Sequence, residues 1–218
     1  MAWFEGEDLA CLRGDRLVFA ALSLALEQGG ALLLEGPNGS GKSSLLKLLA
    51  GLLPAFSGQI RLGGTDLTRE PDALRETIAY LGHADAVKPA LSVRENLEFW
   101  AALSPRPGDP DAALAAVDLS DIAGRPGRFL SSGQRRRLAL ARLLVAPAPL
   151  WLADEPTVGL DRASVVRFEA MLAAHRAAGG AVILSSHLPI ALAGTGSLNL
   201  DDFAPDRTNP FLDEGEEE

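Results

Sequence analysis

"LLLEGPNGSGKSSLLKLLAGLL", residues 32–53, passes from an apolar run of strand length, through a glycine-rich turn, into a stretch with apolar residues at helical spacing. The turn comprises Gly36, Pro37, Asn38, Gly39, Ser40 and Gly41, followed by Lys42, Ser43 and Ser44. Gly-x-x-x-x-Gly-Lys-Ser between a strand and a helix is a phosphate cradle. Glycines allow the torsions of an anion nest, and the helix start presents unpaired N–H groups. Lys42 reaches the terminal phosphates, and the Ser43 hydroxyl is placed to ligate Mg²⁺. The implied ligand is a nucleoside triphosphate.

Working outward, short β-like apolar runs alternate with Ala/Leu-rich helical stretches: "ALLLEG", "KSSLLKLLAGLL", "LALARLLV", "LWLADE", "SVVRFEAMLAAHRAAGG" and "AVILSS". Runs without polar alternation suit strands buried on both faces of a parallel sheet, so the class is α/β. The segment from about Leu9 to Leu26, with turn signals at Gly14-Asp15 and Gly29-Gly30, reads as antiparallel strands laid against that core. Residues of about 84–146 turn helical, with Ser92 and Glu95 as a capping box, and are expected to form a helical subdomain inserted in a unit spanning 1–200. Residues 201–218, "DDFAPDRTNPFLDEGEEE", are acidic with little periodicity and are expected to be a disordered tail.

The chain has 218 residues, 47% of them hydrophobic, which suffices for one sizeable core. A net charge of -9 argues against a nucleic-acid binder held by phosphate contacts. Its single cysteine, Cys11, leaves no internal disulfide, and the N-terminus lacks a basic region followed by an apolar one. No apolar run reaches the roughly 18 residues of a membrane span. The expectation is a cytoplasmic protein that does not itself cross a bilayer.

"PLWLADEP", residues 149–156, is an apolar strand ending in two carboxylates. After a phosphate cradle, Asp154 is placed to hold Mg²⁺ beside Ser43 and Glu155 to orient and deprotonate an attacking water. On its own such a pair is as well read as a surface turn. "FLSSGQRRRLALARLL", residues 129–144, starts a second helix with a Ser-Ser-Gly-Gln turn, a second place where N–H groups face an anion. Its plainer reading is Ser131 as an N-cap on a helix with a solvated basic stripe. His175, near the end of a helix closing at Gly179-Gly180, reads as solvent-facing or as a partner of the helix dipole.

In that order and spacing, the cradle at 36–43, "LSSGQ" at 130–134, "LADEP" at 152–156, "GLD" at 159–161 and "SSH" at 185–187 resemble the ATPase domain of ABC transporters, over about residues 5–200. The resemblance implies a P-loop ATPase fold using ATP and Mg²⁺. It implies a head-to-tail homodimer in which Ser131, Ser132, Gly133 and Gln134 meet the ATP held by the other copy's cradle. Asp161 then lies at the dimer seam and His187 contacts the γ-phosphate.

Three positions depart from the family pattern. Ser132 stands where Gly is usual, but its hydroxyl can donate to a phosphate. His83 stands where a Gln senses Mg²⁺ and meets the membrane subunit, with shorter reach and a pH-dependent charge. Arg13 stands near the usual adenine-stacking aromatic; a guanidinium can stack on a base, while Phe19 is as readily core.

"CLRGDRLVFAALSLAL", "YLGHADAVKPALSVRENLEFW" and "SSHLP" resemble more narrowly the ATP-binding subunits of haem exporters in cytochrome c biogenesis. That resemblance implies a peripheral subunit on the cytoplasmic face of the bacterial inner membrane, docked on integral membrane subunits near His83 to Glu95. ATP would there drive release of a haem-loaded carrier. The alternative is a soluble assembly ATPase of the kind serving iron–sulfur cluster scaffolds. A ribosome- or DNA-acting ABC factor is opposed by the net charge, and a metabolic kinase by "LSSGQ".

Overall fold

The computed structural model describes residues 2–68, 70–187 and 190–205. Its strands are β1 (Phe4–Arg13), β2 (Arg16–Leu26), β3 (Ala31–Glu35), β4 (Ser57–Leu62), β5 (Thr65–Asp66), β6 (Ile78–Leu81), β7 (Leu150–Asp154), β8 (Ala181–Ser185) and β9 (Thr195–Asn199). Its α-helices are α1 (Lys42–Leu49), α2 (Pro71–Thr77), α3 (Val93–Ala102), α4 (Pro110–Ala116), α5 (Ser132–Val145) and α6 (Arg162–Ala177).

Two sheets result. One is antiparallel, in the order β2-β1-β4-β5; the other runs β6-β7-β8-β3-β9, with each neighbouring pair parallel. The α/β class with an N-terminal antiparallel region is as the sequence predicts.

The apolar runs without alternation now have their explanation. Leu150 and Leu152 of β7, and Ala181 and Ile183 of β8, enter one core with Leu45, Leu46, Leu48 and Leu49 of α1. The intervening Trp151, Ala153, Val182 and Leu184 enter a second core with α3, α5 and α6. A strand covered on both faces has no position to spare for a polar residue. The helices of the 84–146 segment have no separate core: Leu97, Leu114 and Leu138 pack in the cluster that covers the sheet.

β9 reads "TGSLN", and its exposed positions carry no strand periodicity. It forms because β3 leaves an edge for it, pairing from Ala31–Thr195 to Glu35–Asn199. The start of the expected tail is ordered: Leu200–Phe203 form a 3₁₀ turn, with Leu200 buried and Phe203 packed on the first core. The remainder, residues 206–218, lies outside the described residues.

His175 is not a solvent-facing residue. Its ring stacks on Trp151, with centroids 3.9 Å apart and planes 9° from parallel. Burial holds its pKa below the ordinary 6.5, against a raising influence from the Ala181 and Pro149 backbone. A base whose folded pKa is depressed stabilises the fold above its unfolded pKa, and that contribution is lost as pH falls from about 6.5 toward the folded value. His175→Phe keeps an aromatic ring in place and removes the titration. The difference in Tm between wild type and variant is therefore expected to move in the variant's favour between pH 7.5 and 5.5; a pH-independent difference would contradict it.

Candidate functional site

The parallel register brings the carboxyl ends of β3, β6, β7 and β8 to one edge of the sheet. Leu34 pairs with Ser185, Asp154 with Ser185, and Leu81 with Ala153. The loops leaving these ends enclose a cleft of about 650 Å³ whose lining includes Lys42, Ser43, His83, Asp154, Glu155 and His187. Ligands of open α/β sheets bind at such an edge, where helix starts and strand ends converge.

The glycine-rich turn needs its glycines at both ends. Gly36 has φ 125° and Gly41, the N-cap of α1, has φ 107°. A Cβ on Gly41 would lie 2.8 Å from Val18 Cγ1, and one on Gly36 would lie 2.8 Å from Ser40 Oγ. Lys42, 8% exposed, bends back across the loop and donates from Nζ to the carbonyls of Gly36 (2.6 Å) and Pro37 (2.9 Å). Asn38, Gly39, Gly41, Lys42, Ser43 and Ser44 face the cleft. Gly36, Pro37 and Ser40 shape the loop from behind, with Ser40 Oγ buried and unpartnered.

The two carboxylates differ in their surroundings. Asp154, 3% exposed, accepts a hydrogen bond from Ser185 Oγ at 2.8 Å. Glu155 sits in left-handed backbone, φ 47°, which a residue with a Cβ adopts only where its surroundings enforce it. Its N–H donates to Ser185 Oγ (3.1 Å) and to the Ser185 carbonyl (3.2 Å), and its Oε2 accepts from the His187 N–H at 3.2 Å. Oε1 lies 3.4 Å from His187 Nε2, yet the pair makes no hydrogen bond. Oε1 is thus a buried carboxylate oxygen without a hydrogen-bond partner, beside the His187 ring. Tyr80, behind these groups, has its phenol pushed up to about 12, chiefly by burial and then by the Asp154 charge.

His83 follows β6 and lines the cleft, on the same wall as Asp154. Arg13, at the end of β1, lines it together with Arg16 and Val18, whereas Phe19 is fully buried in the first core. The residues of the second anion-binding start are not in this cleft. Ser131 caps α5, accepting from Gln134 N–H at 3.2 Å while Gln134 Oε1 accepts from Ser131 N–H at 2.9 Å. That box leaves the N–H groups of Ser132 and Gly133 with no acceptor within the helix. Gly133 abuts the turn before α6: a Cβ there would lie 3.3 Å from the Gly159 carbonyl. Asp161 caps α6, accepting from Ser164 N–H at 2.7 Å, and that bond lowers its pKa.

Two structurally decisive residues escaped the sequence reading. Asn96, 2% exposed, accepts from Lys88 N–H and donates to the carbonyls of Lys88, Leu91 and Ser92, fixing the loop before α3. Arg136 is 5% exposed, which corrects the solvated basic stripe: of the three consecutive arginines it faces inward. The signal was available, because Arg136 is three and four residues from Ala139 and Leu140 and shares their apolar side of the helix.

A second groove, of about 400 Å³, includes Leu52, Tyr80, Trp100, Leu103 and Arg142 in its lining. Leu52 and Leu103 are more than 60% exposed, and the Arg142 guanidinium lies 4.2 Å over the Trp100 ring.

Residues 19–158 match the ABC transporter family. The cytochrome c biogenesis ATP-binding export protein CcmA of Rhodospirillum rubrum is 55% identical over 94% of this chain and 88% of its own length. That of Paracoccus denitrificans is 49% identical over 90% and 88%. Among solved structures, a Pyrococcus furiosus ATP-binding protein assigned to the ABC transporters superposes with a TM-score of 0.80 at 26% identity, over 92% of this chain and 98% of that one. A dimeric ATP-binding cassette bound to ADP and Pi shares the fold, with a TM-score of 0.76 at 22% identity over 85% and 88%. The chain belongs to the ABC transporter ATP-binding family, in the group of the cytochrome c biogenesis ATP-binding export proteins CcmA.

Proposed function

We propose that this chain hydrolyses ATP as the motor subunit of a cytochrome c biogenesis export complex. It works as a homodimer on the cytoplasmic face of the bacterial inner membrane, against integral membrane subunits, and closure of the dimer on ATP drives release or transfer of a haem-loaded carrier. The observation that carries the reading is the convergence of Lys42, Asp154, Glu155 and His187 on one cleft in a chain 55% identical to such an export protein. Identity at that level to export proteins disfavours a soluble assembly ATPase. Among the described residues, no helix is long and apolar enough to cross a membrane, which fits a peripheral subunit.

Each residue's role follows from its placement. Lys42 exchanges the loop carbonyls for the terminal phosphates, while the N–H groups of Gly39 to Ser44 receive the phosphate chain. Ser43 and Asp154 would hold Mg²⁺. Two hard oxygens, with no cluster of three metal-ligating side chains among the described residues, suit an ion that takes its other ligands from water and phosphate. When bound, Mg²⁺ neutralises charge on the β- and γ-phosphates. His83, whose imidazole is a poor direct ligand for this ion, would act through water.

Glu155 takes the proton of the attacking water, and His187 faces the γ-phosphate. Arg13 stacks on or borders the base. Ser131, Ser132, Gly133 and Gln134, turned away from their own chain's cleft, serve the ATP of a second copy, with Asp161 at the seam. The membrane subunit docks near His83 to Glu95.

Two variants test the roles. Glu155→Gln keeps the shape and removes the base, so turnover is expected to fall by about 10²–10⁴-fold with ATP still bound and a dimer trapped on size-exclusion chromatography. Full turnover would remove Glu155 from the role. Lys42→Ala is expected to lose nucleotide affinity in a direct titration with a fluorescent ATP analogue, and unchanged affinity would contradict its assignment.

A further inference from the structure

Arg136 lies on α5, outside the cleft lining, yet its guanidinium holds the backbone of the turn carrying Asp154 and Glu155 and of the residue before His83. Nη2 donates to the carbonyls of Asp154 (3.1 Å) and Glu155 (2.7 Å), and Nε donates to the Pro156 carbonyl (3.0 Å). Nη1 donates to the Gly82 carbonyl (2.9 Å) and to Asp85 Oδ1 (3.2 Å). The side chain is 7% exposed. All three guanidinium nitrogens are thus engaged, on acceptors from two separate loops.

The acceptors share one property. Asp154, Glu155 and Pro156 form the turn in which Glu155 takes its left-handed backbone, and Gly82 immediately precedes His83. Glu155 is gripped from both sides, its N–H by Ser185 and its carbonyl by Arg136. A backbone conformation of this kind persists only when the neighbours over-determine it. A planar, five-donor fork can hold a curved array of carbonyls that an ammonium, with three donors on one nitrogen, cannot span.

We propose that Arg136 is a positioning residue for ATP hydrolysis. From inside the helix that opens at Ser131, it fixes the backbone of Glu155 and ties it to the turn carrying His83, so the two groups move as one. This rests on the reading of Glu155 as the base. Arg136 touches no phosphate-binding residue of the glycine-rich loop, so its loss disturbs the hydrolytic geometry and leaves ATP binding alone.

The test uses full-length protein carrying Arg136→Lys or Arg136→Gln, each alone and combined with Glu155→Gln. Arg136→Lys and Arg136→Gln are expected to bind ATP within about twofold of wild type while single-turnover hydrolysis falls about 100-fold, the size of effect a misplacement of about 1 Å produces. On the Glu155→Gln background the same changes are expected to add no further loss, because Arg136 acts through Glu155. A folded Arg136→Lys chain that keeps wild-type turnover overturns the proposal, and so does a loss that multiplies with that of Glu155→Gln.

If neither substitution at 136 folds, Asp85→Asn carries the test, since it loosens only the side of the guanidinium that faces the His83 turn. Slower hydrolysis at unchanged KM is expected, and an unchanged rate overturns the link between the two loops. A wild-type chain that lacks ATPase activity even when assembled with its membrane subunits would instead overturn the functional reading itself, a distinguishable failure.

Discussion

The structure depends on the parallel register of β6, β7, β8 and β3. Because neighbours run in one direction, the four strands end together, and much of the cleft hangs on those ends: the glycine-rich loop on β3, His83 on β6, Asp154 and Glu155 on β7, His187 on β8. A parallel sheet must be covered on both faces. Here α1 and the antiparallel sheet cover one face and the helices α3, α5 and α6 cover the other. The apolar strand interiors and the polar strand ends are therefore one design, in which packing sets the register and the register sets the chemistry.

Within that frame, Ser185 and Arg136 act as opposed clamps. Ser185 holds the Asp154 carboxylate and the Glu155 N–H from the next strand, while Arg136 holds the carbonyls of the same turn from a helix. A carboxylate on an unclamped turn would sample orientations that do not face the cleft. The left-handed turn at Glu155 is thus held by side chains from two other elements, β8 and α5. The same arrangement leaves Ser132 and Gly133 outside the lining of the chain's own cleft, the placement that the proposed homodimer requires.

Much of this was legible in the residues. The strand–loop–helix around Lys42, the apolar strand into Asp154-Glu155, the capping box at Ser92 and the N-cap at Ser131 each rest on local patterns that tertiary packing reinforces. What was hidden needs long-range contact to exist. β9 is a strand only because β3 offers it an edge, and "TGSLN" has no pattern of its own. His175 becomes a buried ring only through Trp151, on a strand far from it in sequence. Arg136 looked like one of three solvated arginines because charge outweighed its place on the apolar face, and its acceptors lie up to 54 residues away.

The most direct test of this account asks whether one chain holds only half of each ATP site. Asn38→Cys and Ser132→Cys would be placed together in a Glu155→Gln chain whose native Cys11 is buried, and treated with a short thiol-specific crosslinker with and without ATP. The account predicts a covalent dimer that forms only with ATP and only when both cysteines are present. A chain that binds ATP yet yields no crosslinked dimer, or the same yield without nucleotide, would contradict it.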